Sequence, residues 1–337
     1  NLFPQTLHFG LGLPKLLQPT LDKCKGKDLE WFMRSVMYPY HNCIEDYAML
    51  MMGGTLHLAT GFPMNILVVG QANSGKTSVL MKFRSITGEP ILSAGAGTAK
   101  GLMPTFSANN ADCGHLASMK YKAMVNEFFS YATGNSASDR QEFMSNTKDM
   151  LEGLPVLFKS GNGKQWVQMT ADLLAVGNPP RRQGSGVFGS VMEMYEYFDP
   201  AMMDRILFYW QPIEQNKIVK SFKHKIKALE ARAKRNGNLD LSLLDYGELL
   251  DCKELFSLMA WCKKASYIIG DSAAMDEEAQ MLAANIPAGI FTRNLEFMLN
   301  AATAFAMVRE LSAGSLTPES ECIELGFEDL HKGRLFV

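Results

Sequence analysis

The sequence predicts an α/β domain with a parallel central sheet, followed by a smaller domain made only of helices. Three short apolar runs are typical of strands buried on both faces: MNILVVG at 64–70, ADLLAVG at 171–177 and RILFYW at 205–210. Helical segments separate these runs, and after residue 213 only helical spacing remains. Because strands that alternate with helices form parallel sheets, the first part predicts an α/β fold and the second an all-α fold.

The order of these elements divides the chain into four parts. Residues 1–60 are expected to form a helical lead-in, which includes DLEWFMRSVMYPY and CIEDYAMLMMGG. Residues 61–212 hold the predicted α/β core, and residues 316–337 are a tail or the beginning of a further domain. Residues 213–315 are expected to form the all-α domain from the helical segments IVKSFKHKIKALEARAKR, CKELFSLMAWCKKASYII, EEAQMLAAN and FTRNLEFMLNAATAFAMVREL.

The composition excludes several classes of protein and indicates a compartment. The net charge is −2, so nucleic-acid binding has to come from a local basic surface rather than from a basic chain. The 6 cysteines are scattered without a C-x-x-C pair, which favours free thiols over a zinc cluster. There is neither a secretory signal nor an apolar stretch of about 18 residues. We therefore expect a protein of the cytoplasm, nucleoid or nucleus that is not secreted and does not span a membrane.

A glycine-rich segment after the first predicted strand predicts a phosphate-binding loop. The segment GQANSGKT at 70–77 fits the pattern G-x-x-x-x-G-K-[ST], in which glycines let the backbone wrap phosphate groups. Lys76 would reach the β- and γ-phosphates, and Thr77 would bind Mg²⁺. A chance match is the alternative, and the strand before and helix after argue against it. The residues expected to hold the nucleotide are Gly70, Gln71, Ala72, Asn73, Ser74, Gly75, Lys76, Thr77 and Ser78.

Such a loop needs an acidic partner on a neighbouring strand, and the sequence offers no standard one. Between 85 and 175 no apolar run of strand length is followed by Asp-Glu. GHLASM at 114–119 has strand-like character but no acid, whereas AMVNEF at 123–128 places Glu127 after Asn126. The pattern MVNEFFSYA favours an ordinary helix with Glu127 facing solvent, and a strand that ends at this acid is the alternative.

Four motifs together resemble the MCM-like AAA+ ATPases, a family that includes hexameric replicative DNA helicases. GGTLHLATGFPMNILVVGQANSGKT is similar to the segment that leads into their phosphate loop, and LLAVGNPP to their sensor-1 strand. MMDRILFYW resembles the segment with their arginine finger, and IPAGIFTRNLEFMLNAATAFA their sensor-2 helix. The resemblance implies a P-loop AAA+ core with a parallel sheet, followed by a small all-α lid.

The resemblance also implies roles for individual residues. Asn178 would orient the attacking water, and Glu127 is the nearest match to the catalytic acid. Arg205 would act on the nucleotide of a neighbouring subunit, and Arg293 would be the sensor-2 arginine. Rigidly placed guanidinium groups stabilise a transition state rich in negative charge, which supports the roles of Arg205 and Arg293. The alternative for Arg205 is a surface salt bridge with Asp199 or Asp204. For Arg293 it is a helix-face charge, and for Asn178 a cap or turn residue.

The segment PVLFKSGNGKQWVQM at 155–169 predicts a β-hairpin just before the sensor-1 strand. In the family that this chain resembles, a hairpin at this place contacts DNA inside the ring. Lys159 or Lys164 would then bind the phosphate backbone without reading its sequence. The alternative is a pair of solvated lysines near a turn.

These motifs predict a DNA translocase or helicase of MCM type that hydrolyses ATP with Mg²⁺ and acts in DNA replication or repair. It is expected to work as a homo- or hetero-hexameric ring on DNA. A second interpretation is a degenerate AAA+ subunit that binds nucleotide for assembly or switching on DNA, because Glu127 follows Asn126 and Gly75 replaces the family's usual alanine. A third interpretation is a P-loop kinase or GTPase, but the sequence has no matching base-recognition motif to support it. The position of Glu127 distinguishes the motor from the nucleotide-binding subunit. A carboxylate beside Lys76 and Thr77 favours the motor, whereas Glu127 on an outer helix face favours the binding subunit.

Overall fold

The structure is a computed structural model. It describes residues 13–37, 63–72, 74–93, 102–107, 110–132, 147–160, 163–179, 200–211, 248–262, 265–286, 291–320 and 322–336, and the isolated positions 145, 219, 222, 223 and 226. The predicted helix at 43–54 lies outside these residues, and so does most of the predicted helix at 218–235.

Helices and strands alternate along the described residues. The helices are α1 (Leu13–Cys24), α2 (Leu29–Met37), α3 (Lys76–Thr87), α4 (Gly114–Ser118), α5 (Phe128–Ala132), α6 (Pro200–Met203), α7 (Cys252–Cys262), α8 (Ser272–Asn285), α9 (Phe291–Ala313) and α10 (Phe327–Phe336). The strands are β1 (Ile66–Gly70), β2 (Ile91–Ser93), β3 (Thr105–Ser107), β4 (Asn110–Asp112), β5 (Lys122–Asn126), β6 (Val156–Ser160), β7 (Gly163–Val167), β8 (Asp172–Gly177), β9 (Leu207–Gln211), β10 (Ser266–Ile269) and β11 (Cys322–Leu325).

A five-stranded parallel sheet in the order β2-β5-β8-β1-β9 forms the centre of the fold. This confirms the predicted α/β core with a parallel sheet, and the three apolar runs form β1, β8 and β9. Every residue of β1 and β8 is buried, as expected of strands covered on both faces. Because the strands are parallel, all their carboxyl ends lie at one edge, where parallel sheets commonly bind ligands.

The two faces of the sheet belong to two hydrophobic clusters. In β1, Ile66 and Val68 contribute to the cluster that contains residues of α1, α2, α3, α7 and α9. Leu67 and Val69 point to the other face and join a cluster with residues of α5 and β7. This alternation follows from the two-residue period of a strand. The helices on both faces therefore fix β1 and the loop that follows it.

A buried ion pair joins the beginnings of β5 and β8. Lys122 Nζ lies 2.6 Å from Asp172 Oδ2, and the two side chains are 2% and 3% exposed. Burial lowers the pKa of Lys122, and the nearby Asp172 carboxylate opposes that shift. Asp172 Oδ1 also accepts a hydrogen bond from the backbone N–H of Met64, just before β1. One carboxylate thus connects the amino ends of three neighbouring strands.

The C-terminal region differs from the all-α expectation in one respect. β10 and β11 form a parallel two-stranded sheet, so SYII at 266–269 is a strand and not the end of a helix. The helices α7, α8 and α9 agree with their predicted segments. α10 lies against α9 so closely that a Cβ atom at Gly333 would stand 2.5 Å from Met298 O. The lead-in contains α2, which agrees with the predicted segment DLEWFMRSVMYPY, and α1, which matches neither of the two predicted helical segments.

The Lys122–Asp172 pair predicts a large difference between two charge-neutralising variants. Asp172→Asn leaves the buried Lys122 ammonium without a counter-charge, so we expect the free energy of unfolding to fall by about 3–5 kcal/mol. The matched control is Glu328→Gln, which breaks the exposed Lys332–Glu328 pair and should change stability by about 0.5 kcal/mol at most. Urea unfolding followed by circular dichroism measures both. Equal losses in the two variants would contradict the role of the buried pair.

Candidate functional site

The segment between β1 and α3 has the features of an anion-binding loop. α3 is a 12-residue helix that begins at Lys76, with no acidic residue in its first turn and no side-chain hydrogen bond to its cap. The first turn of α3 therefore carries no acidic side chain that would compensate the positive end of the helix dipole. Gly75 has φ of 91°, a left-handed conformation that favours glycine, and this accounts for glycine rather than alanine at this position.

The expected phosphate-binding residues line this loop. Ser74, Gly75 and Ser78 are half-buried, and Asn73 lies outside the described residues. Gln71, Ala72 and Thr77 are exposed. Gly70 ends β1, so the loop begins at the carboxyl edge of the sheet.

Lys76 points from the start of α3 into the loop. It is only 7% exposed, and its Nζ donates hydrogen bonds to Gln71 O at 2.6 Å and Ser74 Oγ at 3.3 Å. A third bond runs to Asn178 Oδ1 at 3.1 Å. Burial lowers the pKa of this ammonium group, and the negative charge of Glu127 opposes that shift. A buried ammonium beside a helix N-terminus is suited to bind an anion such as a phosphate.

Glu127 lies at the carboxyl edge and not on an outer helix face. Residues 122–126 form β5, so the favoured interpretation of MVNEFFSYA as one helix is wrong. α5 begins only at Phe128, after Glu127 has adopted φ of 59°; it is the one non-glycine residue with positive φ in the described part of the chain. GHLAS at 114–118 forms α4, which removes the other strand considered for the acid. A left-handed backbone at a non-glycine residue is strained, and such strain clusters at functional sites.

Asn178 connects Lys76 to Glu127. It follows β8, the strand between β1 and β5, and its Nδ2 donates to Glu127 Oε1 at 3.4 Å while its Oδ1 accepts from Lys76. Gly177 is required beside it, because a Cβ atom there would lie 2.6 Å from the ring of Phe129. Phe129 belongs to α5, so the glycine lets this helix pack over β8 and bring Glu127 to the amide.

The residues present at the loop fit a nucleotide and its magnesium ion. Mg²⁺ takes few protein ligands and is held largely by water and phosphate oxygens. The exposed hydroxyl-bearing Thr77 and the carboxylate of Glu127 are the groups suited to it. Among the described residues there is no group of three or more His, Cys, Asp or Glu side chains that could hold a metal by itself.

Arg205 and Arg293 lie together, but away from this loop. Both guanidinium groups bind Glu152: Arg205 through Nη2, and Arg293 through Nη2 at 2.9 Å. Arg205 O accepts a hydrogen bond from Asn65, which precedes β1, so this cluster is at the amino edge of the sheet. A five-residue strand spans about 17 Å, so the cluster is separated from Lys76 by the height of the sheet.

Glu152 is a residue that the sequence analysis missed. Its two arginine partners lie 53 and 141 positions away in the chain, so no local pattern indicates the pairing. The same cluster contains Asp204, whose pKa is raised by burial although Arg293 and Arg205 both favour its charged form. Arg205 therefore forms a salt bridge, which was the alternative to its role in a neighbouring subunit, but with Glu152 rather than Asp204. Asp199, the other partner considered, lies outside the described residues.

The predicted hairpin is formed by β6 and β7. Its register pairs Lys159 directly with Lys164, and both side chains are exposed. The hairpin immediately precedes β8 in the chain, as the sequence indicated. Lys159 and Lys164 thus share one face of the hairpin.

The comparisons with known proteins do not assign a family. No protein-family model matches the chain, and no curated protein matches its sequence significantly. None of the described helices is long and apolar enough to cross a membrane.

The left-handed backbone at Glu127 predicts an unusual order of stability for two variants. Glu127→Gly should be more stable than Glu127→Ala by about 0.5–1 kcal/mol, because alanine in this conformation costs roughly 1–2 kcal/mol and glycine does not. The control is Glu277, an exposed residue inside α8, where alanine should be more stable than glycine by about 1 kcal/mol. Urea unfolding of the four variants measures both differences. If alanine were more stable than glycine at both positions, the interpretation of Glu127 as a strained left-handed residue would be wrong.

Proposed function

We propose that this chain is an ATP-hydrolysing motor of the MCM-like AAA+ type that acts on DNA as a ring. The observation that carries the proposal is the contact series Lys76–Asn178–Glu127 at the carboxyl edge of the sheet. Asn178 and Glu127 directly follow β8 and β5, and Lys76 begins the helix after β1, the third adjacent strand. The resemblance gives each of the three residues a part in nucleotide hydrolysis. Glu127 stands within the same contact network as Lys76, which is the arrangement that favours a motor over a nucleotide binder.

Each residue of the contact series has a distinct chemical part. Lys76 and the N-terminus of α3 neutralise phosphate charge, and Thr77 offers a hydroxyl ligand for Mg²⁺. Glu127 accepts the proton of the attacking water, and Asn178 fixes the position of both carboxylate and water. Bound ATP with Mg²⁺ supplies the γ-phosphoryl group and a metal that spreads its charge. The left-handed backbone holds the Glu127 carboxylate close to Asn178 before nucleotide arrives.

The strand order supports the same proposal. β8 lies between β1 and β5, so a residue after β8 is the natural bridge between the phosphate loop and the acid. The sensor-1 residue of the resemblance, Asn178, occupies this place. A sheet in which β5 neighboured β1 would leave no room for such a bridge.

The position of Arg205 and Arg293 supports action between subunits. Both lie at the amino edge, separated by the sheet from the phosphate loop of their own chain. A head-to-tail ring would bring the amino edge of one subunit to the carboxyl edge of the next. In such a ring, these guanidinium groups are suited to stabilise the charge on a neighbour's γ-phosphate.

A non-hydrolysing AAA+ subunit is the second candidate. The observation that favours it is Asn126, the last residue of β5, which stands where a metal-binding acid would precede Glu127. A neutral amide binds Mg²⁺ more weakly than a carboxylate does. Hydrolysis by the wild-type chain decides between the two.

Steady-state ATP hydrolysis with and without DNA tests the proposed chemistry. Lys76→Ala should lose both nucleotide binding and turnover, because the phosphate charge is no longer neutralised. Glu127→Gln should keep nucleotide binding but lower kcat by about 10²- to 10⁴-fold, since it removes the general base. Fluorescent-nucleotide titration measures the binding. Wild-type protein that binds ATP without turnover would refute the motor and support the second candidate.

A mixing experiment tests whether Arg205 acts on a neighbouring subunit. Arg205→Ala and Glu127→Gln chains should each be inactive alone. Mixed, they should regain turnover, because some interfaces then join an intact Glu127 to an intact Arg205. The matched control mixes Glu127→Gln with Lys76→Ala, in which every chain has a defective loop side and no recovery is expected. If subunits exchange and the first mixture stays inactive, the proposed action in trans is wrong.

A further inference from the structure

A strongly basic run of the chain also presents exposed apolar side chains. The segment KIVKSFKHKIKALEARAKR at 217–235, called the basic segment here, contains 6 lysines and 2 arginines but a single acidic residue. The structure describes Val219, Phe222, Lys223 and Ile226 of this segment, and each has helical conformation and an exposed side chain. The proposed hydrolysis uses none of these residues, so their combination of charge and apolar surface requires another explanation.

Three bulky apolar side chains of the basic segment lie in solvent. Val219 is 55% exposed, Phe222 is 63% exposed and Ile226 is 41% exposed. Residues three and four positions apart lie on the same face of a helix, so this spacing is typical of one apolar stripe. Of the residues that the structure describes, neither hydrophobic core cluster includes any of the three. Apolar side chains that gather on one exposed face indicate a surface that a partner covers.

The charges around the stripe specify the chemistry of this partner. It has to cover Val219, Phe222 and Ile226 and also neutralise Lys223, which directly follows Phe222. A nucleic-acid backbone supplies negative charge but leaves the apolar side chains uncovered. An acidic protein groove would need carboxylates placed against cations along most of the basic segment, whereas an anionic bilayer surface supplies negative charge continuously.

We infer that the basic segment binds the surface of a membrane that contains anionic lipids. Phe222, Val219 and Ile226 enter the boundary between headgroups and acyl chains, and Lys223 extends its flexible side chain back to the headgroups. A helix with strong positive charge and a narrow apolar stripe lies in the plane of the membrane interface and does not cross the bilayer. The inference does not depend on the proposed motor, because it involves no residue of the nucleotide-binding loop.

Two kinds of vesicle separate the contributions of charge and apolar contact. Cosedimentation of the full chain measures binding to vesicles of phosphatidylcholine alone and to vesicles of phosphatidylcholine and phosphatidylserine in equal parts. We expect wild-type protein to bind the anionic vesicles and to leave the neutral ones largely unbound. Lys223→Ala should weaken binding to the anionic vesicles about 5-fold, because it removes one cation near the charged surface.

The apolar stripe is tested by a pair of variants at its most exposed residue. Phe222→Ala should weaken binding to the anionic vesicles by about 10- to 150-fold, because a large apolar side chain no longer enters the interface. Phe222→Leu should retain most of the affinity. The matched controls are Phe327→Ala and Lys332→Ala, which alter an exposed aromatic ring and an exposed cation outside the basic segment and should change nothing.

Three results would overturn the inference. The first is wild-type protein that binds neither kind of vesicle, and the second is equal binding to both kinds. The third is an unchanged affinity of Phe222→Ala for the anionic vesicles. Absence of vesicle binding, together with duplex DNA binding that Lys223→Ala weakens and Phe222→Ala does not, would instead assign the basic segment to nucleic acid. Because the assay contains no ATP, absence of hydrolysis would refute the motor and leave the vesicle result standing.

Discussion

The central strand β8 is held at both of its ends by side chains that also bind its two neighbours. At its beginning, Asp172 binds Lys122 of β5 and the backbone just before β1. At its end, Asn178 binds Glu127 after β5 and Lys76 after β1. The first set of contacts fixes the register of the three strands, and the second set depends on that register. A shift of one residue would turn every side chain of a strand to the other face and separate the three functional groups.

The two edges of the sheet present different sets of charged groups. The carboxyl edge presents a helix N-terminus and Lys76, which suit an anion, together with the carboxylate of Glu127. The amino edge holds Arg205 and Arg293 around Glu152. In the proposed head-to-tail ring, a nucleotide bound at the carboxyl edge of one subunit would place its phosphate charge next to the arginines of the following subunit. In that ring, both arginines would have to leave the Glu152 carboxylate in order to bind the phosphate of the neighbouring subunit.

The sequence was sufficient for the parts of the fold that depend on local pattern. β1 and β8 are continuous apolar runs because both faces of each strand are buried. The order of strand, loop and helix around Gly70–Thr77 was also predictable, because the spacing of its glycines reflects a local backbone geometry. α9 was found through the same kind of local regularity, over 23 residues.

The missed features depend on distant partners. β5 begins with Lys122, a charge that interrupts the apolar pattern and is tolerated only because Asp172 neutralises it from 50 positions away. Without that information, MVNEFFSYA looked helical and Glu127 looked solvent-exposed. β10 was missed in the same way, because its partner β11 lies beyond two helices and SYII follows directly on the pattern of α7. Glu152 has no local signal at all, since both of its arginines come from other parts of the chain.

In the proposed mechanism, the three hydrogen bonds of Lys76 connect the nucleotide-binding loop to the acid. An ammonium group has three donors, and here they are directed to Gln71 O, Ser74 Oγ and Asn178 Oδ1. A phosphate that binds Lys76 must therefore replace at least one of these acceptors. If the amide of Asn178 is released, its oxygen is free to accept from a water while its nitrogen still donates to Glu127. In the proposed mechanism, Asn178 would therefore change its hydrogen bonds when a phosphate fills the loop, and this change would couple nucleotide binding to the placement of water beside Glu127.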